Sequence, residues 1–238
     1  MKRNLFLFSG ILALSLTANA QELKEEYMTW PNSQGLGEYA SQWTPGEYLF
    51  EDENFYISRV KPKARFRNAN TQINETLTEE TDKNLVFWVP VGTASGGNPN
   101  ARPNGKFDSE VFSMWSYVTH YGNWTAPQGW VPGGFADAAH KNGVGVSGVA
   151  SIPWGSLSSD WATALDNMSK NATIREKVAK FLHYHGVDGL GYNSEFNTSN
   201  TTMLSNVRAL NEEVHKYLTE QGNPVAENFW YDGTNDNG

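Results

Sequence analysis

One short segment ends an apolar strand pattern with two polar side chains that could do chemistry. VDGLGYNSEFN, residues 187–197, places an amide, Asn193, and a carboxylate, Glu195, two positions apart. Because residues i and i+2 of a strand point to the same side of a sheet, the spacing predicts that these two side chains face together. Asp188 lies an odd number of positions from Glu195 and is expected to point the other way. The motif therefore offers one carboxylate and one amide instead of a carboxylate pair.

A lone carboxylate beside an amide fits a particular kind of glycoside cleavage. Most glycosidases use two carboxylates, one as acid and one as nucleophile or base. One carboxylate is sufficient when a 2-acetamido sugar supplies its own carbonyl oxygen as the nucleophile. Glu195 would then protonate the leaving oxygen, and Asn193 would hold the acetamide during the attack. An isolated N-x-E at a strand end is also compatible with a loop cap or a surface pair.

Aromatic residues stand at the ends of the neighbouring predicted strands, where flat rings could stack on the apolar faces of a sugar. The chain contains 9 Trp, 10 Tyr and 12 Phe, a content that carbohydrate binding and packing in a core both explain. The strand-end residues that we predict to bind substrate are Trp124, Trp154, Trp230 and Tyr231.

Alternating strand and helix patterns indicate the fold that would position these groups. Strand patterns occupy residues 84–92, 112–122, 144–154, 187–193 and 224–232, and helical patterns occupy residues 133–143, 159–168, 173–186 and 201–222. A repeat of about 35 residues predicts parallel βαβ units with right-handed crossovers. A doubly wound sheet and a (β/α)₈ TIM barrel both fit, but no Gly-rich phosphate loop follows a strand, which favours the barrel. In both folds the chemistry lies at the carboxyl ends of the strands, where Asn193 and Glu195 fall.

The number of βα units is smaller than a closed barrel requires. Residues 113–238 hold four units, whereas a (β/α)₈ barrel usually has about 250 residues. The last strand pattern would leave an apolar edge unprotected. We therefore expect an α/β chain truncated to about the first four βα units of a (β/α)₈ barrel. The barrel part is predicted at residues 111–238, after an N-terminal extension at residues 21–110.

The first twenty residues have the pattern of a secretory signal peptide. A basic head, Lys2 and Arg3, precedes an apolar run at residues 5–16 and an A-x-A cleavage site at residues 18–20. An uncleaved anchor is the competing interpretation. No other segment approaches the roughly 20 apolar residues of a membrane span. The sequence predicts an exported protein, secreted or periplasmic, without a membrane span.

Charge and composition argue against several kinds of partner. The formal net charge of −8 disfavours nucleic acids and anionic membranes as partners. The chain has no Cys, so disulfides and thiolate chemistry are excluded. His183 and His185, two apart at a helix end, do not share a face as metal ligands would, and we interpret them as surface or capping residues. His140 is expected to pack or cap, and no metal or cofactor is implied.

Several stretches together resemble the glycoside hydrolases of family 85, the endo-β-N-acetylglucosaminidases. VDGLGYNSE resembles the active-site strand of that family, whose signature is D-G-[aromatic or apolar]-x-x-N-x-E. FSMWSYVTHYGNW resembles the first barrel strand, FADAAHKNGVGVSGVAS the A-A-H-[KR]-[NH]-G-V-x-V-x-G-T segment, and NFWYDG the W-Y-D strand. The likeness covers residues 110–233, and WTPGEYLF at residues 43–50 resembles the W-x-P-G motif. Val149 departs from the usual Thr.

The resemblance implies a mannosyl-glycoprotein endo-β-N-acetylglucosaminidase. Such an enzyme hydrolyses the GlcNAc-β1,4-GlcNAc core of N-glycans by substrate-assisted retaining catalysis, without a cofactor. Glu195 would be the general acid/base, Asn193 would orient the acetamide toward an oxazolinium intermediate, and Tyr231 would contact the reacting sugar. The implied partner is an N-glycan or a glycoprotein, while the glycan class and the oligomeric state stay open.

Two other functions remain as alternatives. A family 18-like chitinase or endoglycosidase uses D-G-[apolar]-D-x-D-x-E, but this chain has Gly191 and Asn193 where that family has Asp. A non-catalytic carbohydrate-binding barrel is the second alternative, against which the intact Asn193 and Glu195 argue. A further interpretation is that this part of a barrel has no activity alone.

Overall fold

The computed structural model describes residues 35–47, 51–64, 85–89, 115–123, 131–152, 158–194 and 200–232. The predicted signal peptide lies outside these ranges. The helices are α1 (Gly35–Gln42), α2 (Gly133–Lys141), α3 (Ser158–Lys170), α4 (Ala172–His185) and α5 (Thr201–Glu220), with a 3-10 helix at Glu51–Tyr56. The strands are β1 (Val86–Val89), β2 (His120–Asn123), β3 (Gly145–Ile152), β4 (Gly191–Ser194) and β5 (Phe229–Asp232).

The five strands form one parallel sheet in the order in which they occur along the chain. Each strand pairs in parallel with its sequence neighbour, from β1 next to β2 to β4 next to β5. Helices connect β2 to β3, β3 to β4 and β4 to β5, so each of these crossovers returns the chain to the same end of the sheet. This arrangement confirms the predicted α/β fold as part of a (β/α)₈ barrel.

The sheet contains one strand more than the four predicted barrel units. β1 lies in the segment predicted as an N-terminal extension, yet its residues pair with β2 from Val86 with His120 to Val89 with Asn123. The backbone N–H of Thr119 also donates to the carbonyl of Leu85 at 2.9 Å. The segment resembling a first barrel strand therefore supplies the second strand of this sheet. Within the described part of that segment, residues 115–117 form a turn and His120–Asn123 form β2.

Capping residues explain where the two longest helices begin and end. The side chain of Asn171 accepts hydrogen bonds from the backbone N–H groups of Thr173 and Ile174, which starts α4. Gly186 ends that helix with φ 70°, a left-handed conformation that glycine adopts without steric cost. The side chain of Asn200 caps α5 by accepting from the backbone N–H of Met203. The sequence patterns for both helices are confirmed.

The core lies between the sheet and its helices. α5 buries an apolar stripe formed by Met203, Val207, Leu210, Val214 and Leu218. Helix α1, which precedes the predicted barrel, packs on α4 and belongs to the same core. Trp43, just after α1, lies edge-on to Phe181 of α4 with ring centroids 5.5 Å apart. Within the described ranges, no helix combines the length and the apolar character needed to cross a membrane.

Candidate active site

The strand register brings Asn193 and Tyr231 to one level of the sheet. Asn193 of β4 pairs with Ser151 of β3 on one side and with Tyr231 of β5 on the other. In a parallel sheet, paired residues point to the same face. The side chain of Asn193 is buried, with 2% of its surface exposed. Two of the predicted site residues therefore occupy adjacent strands, near the carboxyl end where barrel enzymes act.

The face that carries Asn193 is the inner face of the curled sheet. The preceding residue, Tyr192, points to the helices, because its hydroxyl donates to the Oδ1 atom of Asn211 on α5 at 2.9 Å. Strand alternation directs Asn193 to the opposite side. Lower on this inner face, the ring of His120 contacts the ring of Phe229 at a centroid distance of 4.7 Å. Asn193 thus faces the interior of the barrel.

Trp230 is not brought together with Asn193. It follows Tyr192 in register and its ring packs on the Tyr192 ring, with centroids 4.9 Å apart. The side chain is 37% exposed on the helix side of the sheet. Because side chains alternate along a strand, adjacent residues such as Trp230 and Tyr231 cannot both serve the inner face. The sequence expectation for Trp230 did not take this alternation into account.

Three predicted site residues lie outside the described residues. Glu195 directly follows β4, Trp124 directly follows β2, and Trp154 comes two positions after β3. In the sequence, each of them thus follows the carboxyl end of a strand. Their roles stay predictions.

Gly189 allows β4 and the segment before β5 to approach closely. A Cβ atom at this position would lie 1.7 Å from the carbonyl oxygen of Glu227. Two hydrogen bonds flank this contact, from Glu227 N to the carbonyl of Asp188 at 3.0 Å and from Phe229 N to the carbonyl of Leu190 at 2.8 Å. Only glycine fits, so the D-G pair of the motif has a structural reason.

The carboxylate of Asp188 joins three elements at the lower end of the sheet, which is the end opposite the carboxyl ends of the strands. Its Oδ2 atom accepts from the backbone N–H of Val146 at 2.7 Å and contacts Nε2 of His140 on α2 at 2.9 Å. Its Oδ1 atom accepts from the side-chain amide of Asn223, after α5, at 2.7 Å. Asp188 is buried with 1% exposure. It lies away from Asn193, at the opposite end of the strand.

His140 is held as a buried cation. Its Nε2 atom faces the Asp188 carboxylate, and its Nδ1 atom lies 2.6 Å from the carbonyl oxygen of Val60. Two acceptors require a proton on each ring nitrogen. Burial lowers the pKa of His140, but the hydrogen bond and charge of Asp188, the Val60 carbonyl and the charge of Asp137 outweigh burial and raise it above its ordinary value. The expectation that His140 packs or caps missed this ion pair.

A second histidine–carboxylate pair corrects the interpretation of His185 as a surface or capping residue. His185 is fully buried, and its Nε2 atom lies 2.9 Å from Oε1 of Glu53, which is also fully buried. The Nδ1 atom lies 2.8 Å from the carbonyl of Phe181. The hydroxyl of Tyr39 donates to the other oxygen of Glu53 at 2.6 Å. His183 is exposed, as expected.

The lower end also contains a cavity of about 410 Å³ between residues 58–62, α4 and residues 221–223. Ser58, Lys61, His140, His183, Asp188 and Asn223 are among the residues that line it. Because Asp188 precedes β4, this cavity lies at the end of the sheet opposite the carboxyl ends. Over the described ranges, no group of three or more His, Cys, Asp or Glu side chains could hold a metal ion.

A parallel sheet in sequential strand order with helical crossovers places this chain in the class of the (β/α) barrels. The family model described as Glycosyl hydrolase family 85 matches residues 96–238. This chain belongs to that family of glycoside hydrolases.

A solved structure supports the same fold. The chain is similar to the Endo-D glycoside hydrolase domain from Streptococcus pneumoniae R6, with a TM-score of 0.59 and 20% sequence identity. The match covers 82% of this chain and 30% of that chain, so the chain spans less than a third of its structural relative. No curated protein matches the sequence.

Proposed function

We propose that this chain forms part of an endo-β-N-acetylglucosaminidase that cleaves the GlcNAc-β1,4-GlcNAc core of N-glycans. The observation that carries the proposal is that Asn193, buried on the inner face, pairs in register with Tyr231 of the adjacent strand. Membership of glycosyl hydrolase family 85 supplies the reaction class. In the N-x-E motif, Glu195 comes two residues after Asn193, and it is the carboxylate proposed for acid/base chemistry.

The proposed reaction uses the acetamide of the substrate as the nucleophile. The side chain of Asn193 donates to and orients the acetamide, whose carbonyl oxygen attacks the anomeric carbon. The glycosidic bond breaks as Glu195 gives its proton to the leaving oxygen, and an oxazolinium forms. Glu195 then takes a proton from water as the water opens the ring. The acetamide is regenerated with net retention.

Aromatic residues complete the proposed site. Tyr231 contacts the reacting sugar, and Trp124 and Trp154, which follow β2 and β3, stack on neighbouring sugars. Trp230 is left out because its ring packs on Tyr192. The chemistry needs no cofactor. We also propose export of the protein, on the basis of the signal pattern at residues 1–20. Determination of the mature N-terminus tests this, and a protein starting at Gln21 is expected.

The test uses the full-length protein and a high-mannose glycopeptide, with the products weighed by mass spectrometry. The expected product is a peptide that retains a single GlcNAc. Glu195→Gln should abolish cleavage while binding persists, whereas Glu212→Gln, at an exposed position of helix α5, should cleave at the parent rate. An intact glycopeptide that still binds would indicate a carbohydrate-binding protein instead. Cleavage of chito-oligosaccharides alone would indicate a chitinase.

A second measurement isolates the role of Asn193. Asn193→Ala should slow cleavage of the glycopeptide, but it should still process a preformed sugar oxazoline, since that donor bypasses the step that Asn193 assists. Asn206→Ala, on α5 away from the inner face, is the matched control and should leave both rates unchanged. Parent-rate cleavage of the glycopeptide by Asn193→Ala would rule out the substrate-assisted assignment.

A further inference from the structure

The strand that carries Asn193 is anchored at its lower end by one carboxylate. Asp188 accepts hydrogen bonds through both oxygens, from Val146 at the start of β3 and from Asn223 before β5. Its own backbone N–H donates to the carbonyl of Val146 at 2.8 Å, and its carbonyl accepts from Glu227 N at 3.0 Å. The side chain and the backbone of one residue therefore tie β4 to both neighbouring strands.

This anchor determines which side chains face the interior. Asn193 pairs with Ser151 and Tyr231 only in the observed register of β4 against β3 and β5. A slip by one residue would turn Asn193 toward the helices and Tyr192 toward the interior. A misplacement of about 1 Å at a reacting group can lower a rate roughly 100-fold. The hydrogen bonds of Asp188 lie where such a slip would begin.

His140 is the charged partner of the Asp188 carboxylate inside the protein. The two side chains are 0% and 1% exposed, and their contact is 2.9 Å. Without this partner, the carboxylate would be a buried anion held by neutral donors only, an arrangement with a large desolvation cost. The cation itself is fixed from the other side by the carbonyl of Val60 at 2.6 Å.

We propose that Asp188, with His140 as its counter-charge, is a positioning residue for the glycosidase reaction. It sets the register of β4 and thereby places Asn193 at the level of Tyr231, although it does not touch the substrate. This inference rests on the proposed function, since the reaction whose rate reports it is the cleavage of the glycan. It adds a role at the lower end of the sheet to the site at the upper end.

The chain contains a matched control for this pair. Glu53 and His185 have the same chemistry, the same 2.9 Å contact and complete burial. Glu53 lies on the 3-10 helix and His185 on α4, so their contact joins two helices. Glu53→Gln therefore reports the effect of neutralising a buried pair on stability alone. Asp188→Asn makes the same change from a carboxylate to an amide, but at the residue on which the register of β4 is proposed to depend.

The decisive experiment measures kcat and KM of the full-length enzyme on a glycopeptide, corrected for the folded fraction. Asp188→Asn should lower kcat about tenfold or more with KM changed less than about threefold, because a misplaced Asn193 weakens interactions made in the transition state. Glu53→Gln should leave both constants within about twofold of the parent. Equal kcat values for the two variants would overturn the proposal.

A double variant tests whether Asp188 acts through Asn193. In an Asn193→Ala background, the further change Asp188→Asn should lower kcat less than about threefold, since the group that it positions is already absent. A further loss as large as in the parent background would show an independent effect and overturn the proposal.

If Asp188→Asn does not fold, Asn223→Ala, which removes one donor from the surface side, replaces it in the same cycle. An unchanged kcat for that variant would then overturn the proposal.

Hydrogen exchange separates a failure of this inference from a failure of the proposed function. The amides of residues 191–194 should exchange faster in Asp188→Asn than in Glu53→Gln, when the two are compared at equal global stability. If the parent enzyme does not cleave the glycan, the proposed function is wrong, and this comparison still tests the anchor. Equal exchange in the two variants would refute the role of Asp188 in the strand register.

Discussion

Gly189→Ala should be strongly destabilising, and the structure gives the size of the effect. The new Cβ atom would lie 1.7 Å from the carbonyl oxygen of Glu227, far inside the 3.0 Å that such contacts respect. The obstacle is backbone, so the segment before β5 must move by more than 1 Å. Both flanking hydrogen bonds, at 3.0 and 2.8 Å, would then be lost.

The cost follows from those two bonds and the groups that they leave buried. Breaking a hydrogen bond so that a buried group is left without a partner costs about 1 to 3 kcal/mol, so the loss of both bonds costs about twice 2 kcal/mol. We therefore expect a loss of about 4 kcal/mol in the free energy of unfolding. For a domain of this size, that loss corresponds to a fall of roughly 8–16 °C in Tm.

Thermal and urea unfolding of the full-length protein, followed by circular dichroism and calorimetry, measure this effect. The matched control is Gly134→Ala on α2, where an added Cβ atom meets nothing within 4 Å. That change should raise stability by about 0.5 kcal/mol, because alanine loses less conformational entropy in a helix than glycine. A Gly189→Ala protein that unfolds at the temperature of the parent would refute the close approach of the two segments.

Three further predictions concern the buried histidine pairs and one helix cap. Tyr39→Phe should cost about 1–3 kcal/mol in urea unfolding, since it removes the 2.6 Å hydrogen bond to buried Glu53; an unchanged midpoint would contradict that bond. Because the pKa of His140 is raised, its stabilisation is complete below its ordinary pKa of 6.5 and disappears as the pH rises through the higher folded value. The parent should therefore lose stability above that range, and His140→Gln should show a flatter pH dependence in the same assay; parallel curves would argue against a charged His140. Asn171→Ala should cost about 1 kcal/mol by removing the cap of α4, while exposed Asn167→Ala should change stability by less than about 0.5 kcal/mol, and equal midpoints would contradict the cap.

Local patterns predicted the elements of this fold well, because their causes lie within a few residues. The end of α4 was predicted from Gly186, and the structure places that residue in the left-handed conformation that ends the helix. Strand β4 was predicted from its apolar and small residues, and the alternation along it correctly separated Asn193 from Asp188. Such features can be predicted from the residue pattern of a single element.

Pairings between distant segments could not be read from the sequence. The strand pattern at β1 was recognised, but periodicity does not encode which strand it joins, so its place beside β2 was missed. His185 was interpreted as a surface or capping residue because its partner, Glu53, is 132 positions away. His140 is likewise 48 positions from Asp188. The buried contacts of these two histidines are tertiary, and no local pattern reports them.

Within the candidate site, the sequence predicted that Asn193, Trp230 and Tyr231 lie at strand ends, but it did not predict which of them share a face of the sheet. Asn193 and Tyr231 were both expected at strand ends, and the register places them side by side. Trp230 was grouped with them because aromatic rings suit sugars, whereas the alternation along β5 turns its ring to Tyr192. Chemical suitability and position on a face are separate criteria, and only the second depends on the register.

The contact of Glu53 with His185 has a practical consequence for anyone who expresses this catalytic unit. A cloning boundary at residue 111 would remove Glu53, α1 and β1 together. His185 would lose its buried partner Glu53, the edge of β2 would lose its neighbouring strand, and Phe181 would lose the ring of Trp43. Expression should therefore start upstream of Gly35, even though the family likeness in sequence begins some sixty residues later.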